Sequence, residues 1–529
     1  MTNAFTTLGG ILNLTTGTVN ATYQPYGASI LASSHTNVTA TPEASKIYLI
    51  ADILASCVNS VGAGSTACTE LFNDAVPPPV PATTALGSGA SFPTANDTLL
   101  AAYYLAVNPI NATTAGVANT AKMTELYGLS SATPPFATNA SQPTDWTLGL
   151  TYSSSLANGS AYLISAPTNL SIDASGNVWF LSNDSATVQA VSVLNNAGGM
   201  SASGVTSLAP FQGLAFDSSS NAYTARTSGT KYVYGMQLGV GSISAKYYAL
   251  FDDAVSTTTV IPSAFAGDGT NMFFPQVAND YVYEVSNAAQ AGTPFITSGT
   301  PTTTPLTAVN NTHAISGVTT ASGVAVDTSS HVWLAGTLNS TLYEMTYPAY
   351  PVTTGTETTP VAYAGGAFNL PGAVAVDHAG NVWVANGTGA SPADGFLTEV
   401  PASTSVPAKD TVADHGGLNN PSGVAIDGAG NIWVSSAGQT SAFTGQTVSE
   451  FAVVAGTLTA FSPGTGFAHA YNEPGSIAID TSGNVWIANA GVVATATTPG
   501  SITEILGAAV PVVTPIALGV KNNTLGSLP

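Results

Sequence analysis

Seven aspartates, Asp173, Asp217, Asp268, Asp327, Asp377, Asp427 and Asp480, recur along this 529-residue chain at separations of 44, 51, 59, 50, 50 and 53 residues. A carboxylate at a fixed register is an acceptor, so it either holds a cation or caps the turn it sits in. Calcium wants about six to eight clustered oxygens. An Asp followed by Gly and Asn instead accepts backbone N–H groups two to three residues on. Turn capping is the expected role, with no metal and no cofactor. Five of the six tryptophans (Trp179, Trp333, Trp383, Trp433 and Trp486) stand six residues after one of these aspartates. One indole per repeat either cages a ligand or fills a core, and core packing is expected because aromatic rings dominate cores.

General-base chemistry needs an imidazole with a partner in hydrogen-bond reach. His331 and His378 fall in turns, and His313, His415 and His469 between strands. No catalytic residue is assigned, and His415 (in Asp414-His415-Gly416-Gly417) and His469 are the nearest candidates. No G-x-S-x-G, H-E-x-x-H or phosphate-binding glycine loop occurs. Cys57 and Cys68 are the sole cysteines, separated by a Gly/Ser loop. A disulfide closing a helical hairpin is expected, worth roughly 2–3 kcal/mol; two buried thiols are the alternative. Without His or further Cys nearby, the pair is not a zinc site.

The elements that carry these residues are copies of one sentence. Gly372–Asn386 reads GAVAVDHAGNVWVAN, and close copies begin at Leu170, Gly323, Gly423 and Ser476. Looser copies begin at Gly213 and Ala264. Each has two runs of β-formers around a polar turn, which is a hairpin signature. A third strand follows with a shared Glu: Glu284, Glu344, Glu399, Glu450 and Glu504. A weaker fourth strand fills the period. Four antiparallel strands every fifty residues, repeated radially, make a β-propeller. The fold class is therefore mainly β, with seven blades expected and six as the alternative because the Asp217 and Asp268 copies are degenerate. Trp146–Ser153 is read as a strand completing the last blade, and Pro511–Val520 as a further apolar strand.

The φ-A-φ-D-x-x-G-N-φ-W-φ core resembles the NHL-type repeat, and with the trailing T-E-φ it resembles the virginiamycin B (streptogramin) lyase propellers, from about Trp146 onward. That resemblance implies a propeller. For the lyases it also implies a histidine base, a neighbouring acid and a Mg²⁺-binding carboxylate on the central face, a motif that neither His415 nor His469 matches. Cys57-Val58-Asn59-Ser60 with Asp145-Trp146-Thr147-Leu148 resembles the helical segment before the propeller in uncharacterised bacterial exported proteins.

Four units are expected: an N-terminal arm over 1–42, a small helical domain over 43–130, a linker over 131–145 and the propeller over 146–529. In the helical domain Ile47, Ile50, Ala51 and Leu54 form one stripe, and Asp97 caps a helix running to Val107 with Leu99, Leu100, Tyr103 and Leu105 available for burial.

Seven Lys and Arg against 28 Asp and Glu give a net charge of −21. So few cations exclude a basic nucleic-acid surface and disfavour anionic membranes. Only 7% of residues are charged, against about 25% on average. That composition, with thirteen N-x-[ST] sequons, is of exported type, so an extracellular or cell-surface glycoprotein is expected, although Met1–Asn20 has no signal-peptide pattern. No apolar run is long enough for a transmembrane helix. The expected function is non-catalytic: a propeller that binds a protein or glycan partner, or self-assembles into an oligomer or fibre. A lyase or hydrolase using the central funnel is the alternative.

Overall fold

The computed structural model describes residues 10–13, 15–23, 25, 38–79, 92–114, 116–130, 135–136, 141–154, 164–183, 189–207, 211–226, 232–239, 242–249, 264–269, 271–275, 281–286, 311–314, 320–346, 360–387, 395–412, 416–438, 445–491 and 500–529. His415 and the linker residues 131–134 and 137–140 lie outside them.

The repeat folds as its pattern requires. In the Asp377 copy, Pro371–Val376, Val382–Asn386, Phe396–Val400 and Ala408–Lys409 pair in sequence order as one antiparallel sheet. Besides a short two-stranded hairpin, the described strands form seven such sheets, six of four strands and one of five. The first strands of all seven line a single axial cavity, so the sheets are the blades of a propeller. The degenerate copies hold their places because Tyr223 and Phe273 supply the ring that Trp supplies elsewhere; both are buried. His313 lies in a fourth strand, Asn311–Ala314, and not in a loop as the sequence had implied.

Ring closure uses both ends of the chain. In the five-stranded sheet, Pro474–Ile479, Val485–Asn489 and Ser501–Ile505 are followed by Gly149–Ser154 and then Val38–Pro42. Thr503 pairs with Thr151, and Ala40 with Tyr152. The expected completing strand is thus present. Within the N-terminal arm, Leu12–Asn13 and Thr18–Val19 form a small hairpin, and Val38–Pro42 is built into the chain's own last blade. Next to the axis, Ser422 donates its hydroxyl to the Pro474 carbonyl of the next blade (2.7 Å). A Cβ on Gly423 would stand 2.6 Å from the Gly475 carbonyl oxygen, so only glycine permits that approach.

The segment read as a strand at Pro511–Val520 is a correction. It crosses one mouth of the channel as extended chain and then forms the short helix Ile516–Asn522. Pro515 precedes this helix as its N-cap, in extended conformation.

Among the described residues upstream are the helices α1 (Ala44–Val58), α2 (Thr66–Asp74), α3 (Thr98–Val107) and α4 (Thr120–Leu129). Ser65, Asp97 and Asn119 cap the last three by accepting N–H groups of the first turn. Cys57 and Cys68 are joined by a disulfide between α1 and α2. Trp146 belongs to this helical core, together with Ile53, Leu71, Tyr104 and Leu126. Trp146 thus packs with the helices only three residues before the blade strand that starts at Gly149. On α3 the inward residues are Ala101, Tyr104 and Leu105, while Leu99 and Tyr103 face solvent. The reason is that α3 carries no charge on any side, so its pattern does not fix which face turns in.

Candidate functional site

Three places collect the residues singled out by the sequence: the repeat turns, the axial cavity and the joint between helices and propeller.

In the turns, each aspartate accepts hydrogen bonds from its own repeat. Asp173 accepts the Ser175 and Asn177 N–H groups on Oδ1 (2.8 and 3.0 Å), and on Oδ2 the Asn177 side chain (2.8 Å) and the Trp179 Nε1–H (3.0 Å). Asp327, Asp377, Asp427 and Asp480 repeat the indole bond to Trp333, Trp383, Trp433 and Trp486 at 3.0–3.4 Å. In the degenerate copies, Asp217 and Asp268 accept from Asn221 and Asn271. The turn role is what the sequence had implied. The bond to the indole was not foreseen, although a six-residue spacing across a tight hairpin places the two side chains on one face. His331 takes the place of the turn Asn, with Nδ1 2.9 Å from Asp327 Oδ2 and 3.4 Å from Glu344 Oε1.

The glutamates of the third strands lie opposite the indoles: Glu399 opposite Trp383, Glu450 opposite Trp433, Glu504 opposite Trp486. Burial pushes the carboxyls of Glu399 and Glu450 above the usual range, and the charges of Asp377 and Asp427 add to it. Glu504 is pushed up to about 8, mainly by burial, against the opposing effect of the Tyr152 hydroxyl, which donates to it at 2.6 Å.

The axial cavity holds about 190 Å³. Its walls are the mostly apolar three-residue runs just before each repeat aspartate, and its floor is the C-terminal segment Val512–Ala517 with Leu525 and Gly526. That segment is tied to the turns. Val510 N–H donates to Asp427 Oδ2 (3.0 Å), the Thr514 hydroxyl to the Asp173 carbonyl (2.9 Å) and Lys521 Nζ to the Ser218 hydroxyl (3.1 Å). The His378 Nδ1 lies 3.2 Å from the Leu525 carbonyl oxygen.

The joint contains His469. Its Nδ1 lies 2.9 Å from Glu43 Oε1, at the start of α1, and its Nε2 2.9 Å from the Thr147 hydroxyl. The same hydroxyl bonds Asp145 Oδ1, and Lys46 Nζ bonds that carboxylate (3.3 Å) and the Thr147 carbonyl (2.8 Å). Ala468 N–H closes the set on Asp145 Oδ2 (2.9 Å). Hydroxyl, imidazole and carboxylate in this order have the connectivity of a nucleophilic triad. Thr147 is 4% exposed and the His469 side chain 1%, so these groups lie buried within the joint. His469 is therefore a joint residue that binds the helices to the last blade across 426 residues of chain. His469→Ala is expected to cost about 1–3 kcal/mol by leaving buried polar groups without partners. Limited proteolysis should then cut near α1 before the blades. Unchanged cleavage would contradict this role.

No family model matches the chain, and no curated protein matches it. Among solved structures it is similar to a streptogramin B lyase (12% identity, TM-score 0.45, 65% of this chain and 94% of that one). It is also similar to the virginiamycin B lyase of Staphylococcus aureus (11%, 0.45, 65% and 95%) and to the WD40 β-propeller domain of Doa1 (12%, 0.40, 65% and 96%). The propeller architecture rests on the sheet order and ring closure described above. Among the described residues, no helix is long and apolar enough to cross a membrane.

Proposed function

We propose that the chain is a non-catalytic, extracellular or cell-surface propeller that acts as a binding and assembly module, with the helical domain as its attachment face. The observation that carries this reading is the outer face of α3. Leu99, Tyr103 and Val107, four residues apart, are 81, 48 and 39% exposed. A charge-free helix that is apolar on both faces is normally covered on both. On a molecule of net charge −21, a face without charge is where two copies can meet with the least repulsion. A second copy is thus the partner of choice. The disulfide supports an oxidising compartment.

A lyase or hydrolase reading would call for imidazole and carboxylate facing the axial cavity, and among the described residues its lining carries neither. Native mass measurement over a range of concentrations tests assembly. Oligomers are expected for the wild-type chain and their loss for Leu99→Asp combined with Tyr103→Asp. A monomer at every concentration would remove the assembly reading.

A further inference from the structure

We infer that the axial cavity is a binding site for a small, uncharged, largely apolar molecule about the size of a single aromatic ring. Among the described residues that surround the cavity, none is charged, and only Ser171 and Thr514 have a polar side chain. The Thr514 hydroxyl is already donated to the Asp173 carbonyl. In a chain whose solubility depends on hydroxyl and amide groups, seven strands contributing Val, Ala, Ile, Leu and Phe to one partly open cavity is a marked concentration of apolar surface. A charged guest would lose its hydration there without a counter-charge.

Size sets the second limit. A cavity of about 150 Å³ lined by Leu, Ile and Phe accepts benzene or xenon, and this one holds about 190 Å³. The third observation is Ile516. It lines the cavity and is nevertheless 63% exposed, an apolar side chain placed over open space by the segment that floors the channel. A guest in the cavity would cover it, and burying apolar area is the main favourable term available to such a ligand.

Ile516 also gives the test, because a change at an exposed position spares the core. Benzene titrated into the full chain in a sealed calorimeter cell should give saturable heat and raise the thermal midpoint, whereas benzoate should do neither. Ile516→Trp, which fills the space, and Ile516→Asp, which places a charge in it, should each weaken benzene binding at least tenfold while circular dichroism stays native. Absence of saturable benzene binding to the wild-type chain would overturn the inference. So would benzoate binding as well as benzene, or affinity unchanged in both natively folded variants. This result is independent of oligomeric state, so it stands or falls separately from the assembly reading.

Discussion

Trp486→Ala should lower the free energy of unfolding by roughly 3–5 kcal/mol, the usual range for deleting a buried large aromatic ring. Trp486 is fully buried, stacks on Tyr152 with ring centroids 5.5 Å apart, and donates its Nε1–H to Asp480 Oδ2 at 3.0 Å. Tyr152 lies on the strand that completes the last blade, so this one indole also holds the ring closed. Its loss opens a cavity against the closing strand and removes one donor from a buried carboxylate. Trp486→Phe separates the two effects: most of the ring stays, the donor goes, and a cost near 1 kcal/mol is expected for the hydrogen bond, plus some for lost volume. Urea midpoints at constant m-value measure both. If Trp486→Ala changed stability by less than 1 kcal/mol, the indoles would not be the packing device that joins the blades.

Lowering the pH from 8 towards 5 should stabilise the protein, opposite to the behaviour of a fold held by ionised carboxylates. Glu504 has its carboxyl raised to about 8 by burial, above its ordinary 4.5. The folded state keeps that proton at pH values where the unfolded chain has released it. The contribution is complete below about pH 4.5 and is lost as pH rises through about 8. A shift of that size corresponds to roughly 4–5 kcal/mol. Glu450 and Glu399 are shifted in the same direction by the same cause. Urea midpoints at pH 5, 6.5 and 8 should fall in that order, and Glu504→Gln should flatten the slope. A midpoint that rises with pH would mean that Glu504 is ionised in the folded state.

What the sequence disclosed and what it hid divide along contact distance. The hairpins around Asp377 and Asp427 were legible because residues four and six apart determine them. The closing strand was legible because the last segment supplies three good strands and leaves a place for a fourth. The Pro511–Val520 segment was misread because an apolar run does not say whether it joins a sheet edge or floors a cavity. His469 and Glu43 are 426 residues apart, and no local pattern announces that pair. Which of Leu99, Leu100, Tyr103 and Leu105 turns inward was not legible, since a helix without charged residues gives no clue to its orientation. The cavity was equally hidden, because its walls are the same Val-Ala-Val runs that read simply as strands.

The two-ended last blade also bears on how the molecule is made. On the ribosome, Gly149–Ser154 emerges more than 350 residues before Ser501–Ile505, its partner. Throughout most of translation that strand has an open edge and the ring has a gap. Contacts so remote in sequence form late and slowly, so the nascent chain stays exposed to wrong pairings until Ser501–Ile505 has emerged. Shortening the polypeptide by even the last blade would leave the fold open at the same seam.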